Sequence, residues 1–263
     1  MVTVKIQGGL CNQLFQWAFG YSLSKLLNKE LVLDVSFYRG GCSGCTPREF
    51  GLNNFKNLKL KYLEGETMSD FFKSDVFKVK DNHFFSDRDY LGIKGNILLD
   101  GYWQSEKYFH EHRNEIHKLL DFGLDDKFSD LDFTNSCSIH VRRTDYLHSP
   151  KYHTNLGLNY YRKALEKINP SGTIYVLSDD IEWCKNTFKN NNLLFIENNR
   201  DIEDLKLMSL CSDNIIANSS FSWWGAWLNK NPKKRIIAPG QWFGEEGPGS
   251  ADIIPKTWDT LYE

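Results

Sequence analysis

The sequence predicts an α/β protein made of two Rossmann-like β/α/β domains facing one another across a cleft. Three observations predict it. A strand, a glycine turn, a helix and a second strand open the chain. A longer β/α alternation fills its C-terminal half, and a polar stretch separates the two. Alternation of this kind favours parallel sheets, with ligands at the carboxyl ends of the strands.

The elements follow in order. Val2 to Ile6 alternates as a strand does, Gly8-Gly9 turns the chain, and Asn12 to Leu27 carries Leu14, Phe15, Ala18, Phe19, Leu23, Leu26 and Leu27 at helical spacing. Leu31 to Asp34 reads as the next strand. From Arg39 to Asp89 the pattern decays into short, polar, Phe-rich pieces that read as loops and short elements. Ile97 to Leu99 is a strand, and Glu106 to Leu120 a helix with Phe109, Ile116, Leu119 and Leu120 inward. Asp121 to Asn135 concentrates Asp, Gly, Ser and Asn and reads as the linker, giving domains 1–130 and 131–263. Beyond it come strands at Ser138–Val141, Thr173–Leu177, Leu193–Ile196, Asn214–Ala217 and Arg235–Ala238. Helices at Asn159–Ile168, Ile181–Phe188, Asp201–Leu210 and Phe221–Leu228 separate them. A length of 263 residues permits two domains of ordinary size.

Composition excludes several classes of function. Lys plus Arg number 32 against 34 Asp plus Glu, so the net charge of -2 gives no general attraction to nucleic acid or an anionic membrane surface, and an anion must be met locally. The N-terminus lacks a basic region followed by a long apolar stretch, and no window reaches the roughly 18 apolar residues of a membrane span. A soluble cytoplasmic chain is expected. Of six cysteines only Cys42 and Cys45 are closely spaced, and without a second pair a structural zinc site is not expected. They read as reduced loop thiols rather than a redox pair. Eight Trp exceed what is usual; most should be core, although ring faces also stack on sugars.

Four motifs carry chemistry. His140-Val-Arg-Arg-Thr-Asp145 ends a buried strand, and Arg142 and Arg143 offer permanently charged, bidentate forks that match a diphosphate. The alternative is a pair of surface arginines in ordinary salt bridges. Ser219-Ser-Phe-Ser-Trp-Trp-Gly-Ala226 follows a strand and opens a helix, where Ser219, Ser220, Ser222 and free N–H groups suit a phosphate; ordinary capping with a tryptophan core is the plainer reading. In Leu177-Ser-Asp-Asp180, Asp179 and Asp180 suit ribose hydroxyls or a guanine edge, or cap the next helix. Gly8-Gly-Leu-Cys-Asn-Gln13 is a glycine turn where Gly8 and Gly9 permit close backbone approach and Asn12 and Gln13 supply neutral donors.

Together GGLCNQLFQWA, HVRRTD, LSDDIEWCK and SSFSWWGAWLN resemble the bacterial α-1,2-fucosyltransferases of glycosyltransferase family eleven, over nearly the whole chain. The resemblance implies a GT-B fold with an acceptor-side first domain and a GDP-sugar-binding second domain. It also implies GDP-β-L-fucose as donor, the 2-hydroxyl of a galactoside-containing glycan as acceptor, inversion, and no cofactor. It puts Arg142 on the β-phosphate, His140 and Asp179 near the nucleoside, the three serines around the phosphates, and Gly9 and Asn12 opposite them. Cys11 stands where the family usually has glycine. The setting it implies is bacterial surface-polysaccharide assembly at the inner face of the membrane, on an acceptor that can be lipid-linked. For a base that takes the acceptor proton the candidates are Asp145, His148 and His153. His153 is favoured because similar proteins carry histidine there. Asp87-Arg-Asp89 and Asp130-Leu-Asp132 have the letters of a metal-binding pair, but both lie in irregular polar stretches, and metal independence is expected. The competing readings are a GDP-sugar transferase of different linkage or acceptor, and a non-catalytic carbohydrate-binding protein.

Overall fold

The computed structural model describes residues 1–40, 47–81, 92–123, 126–189 and 191–263. Cys42, Cys45, Asp87 and Asp89 lie outside the described residues. The chain divides into two compact units, Met1–Gly123 with Ala251–Ile253, and Leu124–Ser250 with Ile254–Glu263.

The first unit is a four-stranded parallel sheet. Its strands are β1 (Val2–Lys5), β2 (Leu31–Asp34), β3 (Val76–Lys80) and β4 (Asn96–Asp100), in the order β2-β1-β4-β3. Helix α1 (Leu10–Leu26) crosses from β1 to β2 and buries Leu14, Phe15, Ala18, Phe19 and Leu23. It lies so close to the sheet that a Cβ on Gly20 would collide with Val4 and Leu31. The chain leaves β1 towards β2 and returns on the other flank. A crevice therefore opens past the carboxyl ends of β1 and β4, the usual place for a ligand in such sheets.

Helix α2 (Gly65–Lys73) and strand β3 fall inside the stretch that reads as irregular from sequence. In β3 only Val79 is buried and Phe77 is half exposed, as befits an edge strand with little apolar signal. The single helix expected over Glu106 to Leu120 is instead two 3-10 turns, Glu106–Tyr108 and His110–His112, and then α3 (Arg113–Leu119). The reason is Phe109. It leaves helical geometry at φ -145°, ψ 9°, and its ring packs 6.2 Å from that of Phe15. Another local departure follows β4, where Trp103 adopts φ +56°. That left-handed conformation costs a bulky residue about 1–3 kcal/mol. Asp81 imposes it by accepting the N–H groups of Tyr102 (3.0 Å) and Trp103 (2.8 Å).

The second unit is a six-stranded, fully parallel sheet. Its strands are β5 (Cys137–Val141), β6 (Ile174–Ser178), β7 (Leu193–Phe195), β8 (Asp213–Ile215), β9 (Ile236–Pro239) and β10 (Asp259–Leu261), in the order β10-β9-β8-β5-β6-β7. Helices α4 (Leu158–Ile168), α5 (Ile181–Thr187), α6 (Asp201–Leu210) and α7 (Ser220–Leu228) connect the strands from β5 to β9. All five residues of β5 are buried, and Ile139, Val141, Ile174, Val176, Ile215 and Ile237 form one core with Tyr160 and Tyr161 of α4. Trp223, Trp224 and Trp227 are fully buried core residues, and α7 meets α6 where a Cβ on Gly225 would come within 2.7 Å of Met208 Cε. From β5 the chain winds outward through β6 and β7, then crosses back to β8 on the opposite side of β5. The switch point therefore lies between β5 and β8.

Candidate functional site

Two sequence motifs meet at that switch point because each directly follows one of its two strands. Arg142 and Arg143 leave β5, and Asn218 and Ser219 leave β8. The Arg142 guanidinium donates from Nη2 to Asp145 Oδ2 at 2.6 Å and holds Nε 3.4 Å from Asp179 Oδ2, with Tyr146 beneath it (5.7 Å to the ring centroid). A guanidinium has five N–H donors, so these contacts fix its plane, and among the described residues Nη1 meets no carboxylate and can take part in a bidentate grip on an anion. Burial works against its charge, but the Asp145 hydrogen bond and the Asp179 charge outweigh that and raise its pKa.

Arg143 is held differently. Its Nε lies 3.3 Å from Asp180 Oδ2 and its guanidinium carbon lies over Trp183, 4.0 Å from the ring centroid. The other Asp180 oxygen caps α5 by accepting the Trp183 N–H at 3.2 Å. Asp179 accepts the backbone N–H groups of Arg143 (2.9 Å) and Thr144 (3.1 Å) as well as the Thr144 hydroxyl. The two acidic residues therefore act within this unit as braces for the arginine loop, one for its backbone and one for Arg143. Thr144, Tyr146 and Trp183 are contributors that sequence reasoning passed over. Trp183 stood inside a quoted motif, but nothing in its spacing showed it beneath an arginine.

His140 is the penultimate residue of β5 and is buried, 5.4 Å from the Phe221 ring at the start of α7. Burial, aided by the Arg142 charge, pushes its pKa down to about 3, and Nδ1 has no hydrogen-bond partner among the described residues. A neutral imidazole with an unmet ring nitrogen results. Ser219 caps α7, its hydroxyl accepting the Phe221 N–H at 3.3 Å, and Ser220 is half-buried in the first turn. Ser222 is fully buried, and its hydroxyl donates to the carbonyls of Ala217 and Ser219, leaving no proton to offer a ligand.

His153 stacks in parallel on Tyr146 at 4.0 Å and is bridged to Phe243 in the backbone. Burial lowers its pKa, with Asp145 opposing and Arg142 reinforcing the shift. Tyr146 is anchored by its hydroxyl donating to the Asn218 carbonyl at 2.9 Å, so the stack is tied to the end of β8. His148 is exposed in the following turn.

In the first unit Gly8 adopts φ +78°, which lets the chain turn sharply from β1 into α1. Gln13 is wholly buried. Its amide donates to the carbonyls of Gly8 (3.0 Å) and Glu49 (2.8 Å) and accepts the Gly51 N–H (2.8 Å), so it shapes the glycine turn and has no donor left for a ligand. Asn12 is half-buried and accepts from Gln104 Nε2 at 3.0 Å. Cys11 is buried in α1, facing the core. Asp132 accepts the Thr134 N–H at 2.8 Å and Asp130 the Ser129 hydroxyl, both as turn residues. Among the described residues no group of three or more His, Cys, Asp or Glu side chains is arranged to hold a metal ion, and no helix is long and apolar enough to cross a membrane.

Two parallel-sheet units, one with a braced arginine at its switch point, make up the architecture of the GT-B fold. The crystal structure of the fucosyltransferase NodZ from Bradyrhizobium shares that fold at a TM-score of 0.53, with 13% identity over 85% of this chain and 92% of NodZ. The chain belongs to glycosyl transferase family 11, whose family model matches residues 1–259. It is 33% identical to the O-antigen biosynthesis glycosyltransferase WbnK of Escherichia coli, over 97% of this chain and 99% of WbnK. It is 34% identical to an α-1,2-colitosyltransferase of the same organism, over 98% of each.

Proposed function

We infer that the chain transfers L-fucose from GDP-β-L-fucose, with inversion, to the 2-hydroxyl of a β-galactoside in a surface glycan. The observation that carries this reading is the Arg142 fork. It is fixed by Asp145 and Asp179, has an edge available, and stands beside the start of α7. As the bond from the sugar to GDP stretches, negative charge collects on the departing diphosphate, and a guanidinium already held in place stabilises it without reorganising. Neutral His140 and the half-buried Ser220 line the same strand ends and suit uncharged contacts to the nucleotide. His153, kept unprotonated near neutral pH, takes the proton of the acceptor hydroxyl. In the first unit, the Gly8-Gly9 turn and Asn12 offer uncharged backbone and amide groups at the carboxyl end of β1. The enzyme works in the cytoplasm, on an acceptor that peripheral association with the membrane would bring within reach.

One relative is named for transfer of colitose and not fucose, so the donor sugar is the specific alternative. Incubating the protein with lactose and either GDP-fucose or GDP-colitose, and reading released GDP and the linkage of the product by NMR, separates the two. Arg142→Lys should lose 30-fold to several-thousand-fold in kcat, since losing a buried charge-assisted contact costs about 2–5 kcal/mol. Near-normal turnover of that variant, at unchanged melting temperature, refutes the role given to Arg142.

A further inference from the structure

The phosphate chemistry above makes no use of the turn that follows β4. That turn is unfavourable in two respects. Trp103 sits at φ +56°, and its buried indole Nε1 has no hydrogen-bond partner among the described residues. Glycine is required at 101, where a Cβ would collide with Asp81, the residue whose carboxylate holds the Tyr102 and Trp103 N–H groups. Conformations of this kind persist where the surroundings impose them, and they cluster at ligand sites.

The turn has two consequences. It drives Trp103 inward between Phe19 (4.9 Å) and Tyr108 (5.5 Å), and it leaves Tyr102 outside, 36% exposed. Tyr102 stands beside the Gly8 turn, where a Cβ on Gly8 would lie 3.5 Å from its Cε1. Gln104, the next side chain outward, donates Nε2 to Asn12 Oδ1, and this orients its carbonyl oxygen as an acceptor. An aromatic face and an oriented neutral amide thus meet at the carboxyl edge between β1 and β4, where ligands of open α/β sheets collect. Such a pair suits a pyranose. The C–H face of the ring lies on the tyrosine, and a ring hydroxyl donates to the amide oxygen.

We propose that Tyr102 and Gln104 form a pyranose subsite for the acceptor glycan, with Asn12 orienting Gln104. The assignment to the acceptor rests on the transferase reading, which matches the donor's phosphates to arginines of the second unit. Saturation-transfer NMR on the full chain with GDP present, using lactose, methyl β-galactoside, methyl β-glucoside and N-acetylglucosamine, tests it. At least one of these sugars should saturate on the wild type, Tyr102→Phe should bind it as well as the wild type, and Gln104→Ala should weaken it several-fold. Tyr102→Ala should weaken it at least tenfold. If that variant does not keep the wild-type melting temperature, Tyr102→Leu should show the same loss. Unchanged sugar affinity in the Ala or Leu variant, or no saturation of any of the four sugars, overturns the subsite. Calorimetry of GDP on the wild type reads the donor assignment separately. If GDP fails to bind while sugar saturation still depends on Tyr102, the donor reading falls and the subsite stands.

Discussion

The Asp179 carboxylate receives two backbone N–H groups, the Thr144 hydroxyl and the Nε edge of Arg142, all from the loop that leaves β5. These donors use both carboxylate oxygens as acceptors, which an amide cannot match. In Asp179→Asn the amide nitrogen faces donors, and Arg142 loses one of its two charged partners. Hydrogen bonds to a charged group contribute about 1.5–3 kcal/mol, so kcat/KM should fall roughly 10- to 100-fold with GDP affinity falling alongside it. A variant that binds GDP normally would show that the arginine loop holds its shape without this brace. His153 permits a second measurement at the same scale. Its pKa lies below the usual 6.5, so as the base it stays competent down to mildly acidic pH, and the acid limb of kcat/KM falls below pH 6.5. His153→Gln should abolish that limb and lower kcat by about 10²–10⁴. If the limb survives the substitution, the proton goes elsewhere, and Asp145 is the next group to replace.

At the scale of elements, helix α1 shows how closely sequence and packing are joined. Gly20 stands in the middle of the helix because Val4 of β1 and Leu31 of β2 occupy the space a methyl group would take. Gly20→Ala gains helix propensity of roughly 1 kcal/mol but overpacks the helix–sheet contact, which typically costs about 1–3 kcal/mol. A net loss of stability in urea denaturation is expected, and a stabilised variant would mean that α1 can lift off the sheet freely. The same element explains what was legible. α1, β1, β2, β4 and the strands and helices from β5 to β9 announce themselves through apolar residues, and all but the edge strand β7, whose apolar Leu193-Leu-Phe195 still marks it, bury residues in a sheet or against one. β3 and β10 are short edge strands with mostly exposed residues and leave no such trace. The Glu106–Leu120 segment has helical spacing, yet the burial of Phe109 overrides it. In the site, the strand-end positions of Arg142 and His140 could be read from the sequence. The cap that Asp180 gives α5 was also legible, whereas the bracing of the arginine loop by Asp179, of Arg143 by Asp180 and of the glycine turn by Gln13 was not, since those partners are brought near only by the fold.

At the scale of the whole molecule, the same imidazole that suits a nucleotide links folding to pH. Buried His140 protonates only near pH 3 when folded, against 6.5 in the unfolded chain. Between those values the unfolded state holds the extra proton. The stability due to a neutral His140 is thus complete above pH 6.5 and declines by about 1.4 kcal/mol per unit as the pH falls towards 3. Asp204 works in the opposite sense. Burial raises its pKa from 3.8 to about 6, so the folded state holds the extra proton between those values and acidification there favours folding. The two slopes oppose each other between pH 6 and 4, which hides each of them in the wild type. His140→Gln removes one slope and leaves the other. Urea denaturation of both proteins at pH 7.5, 6.0 and 5.0 should therefore show the wild type losing ground to the variant by about 1.4 kcal/mol per unit below pH 6.5. A difference that stays constant across that range would mean that the imidazole is solvated or partnered in solution, and the uncharged contact to the nucleotide assigned to it would have to be given up.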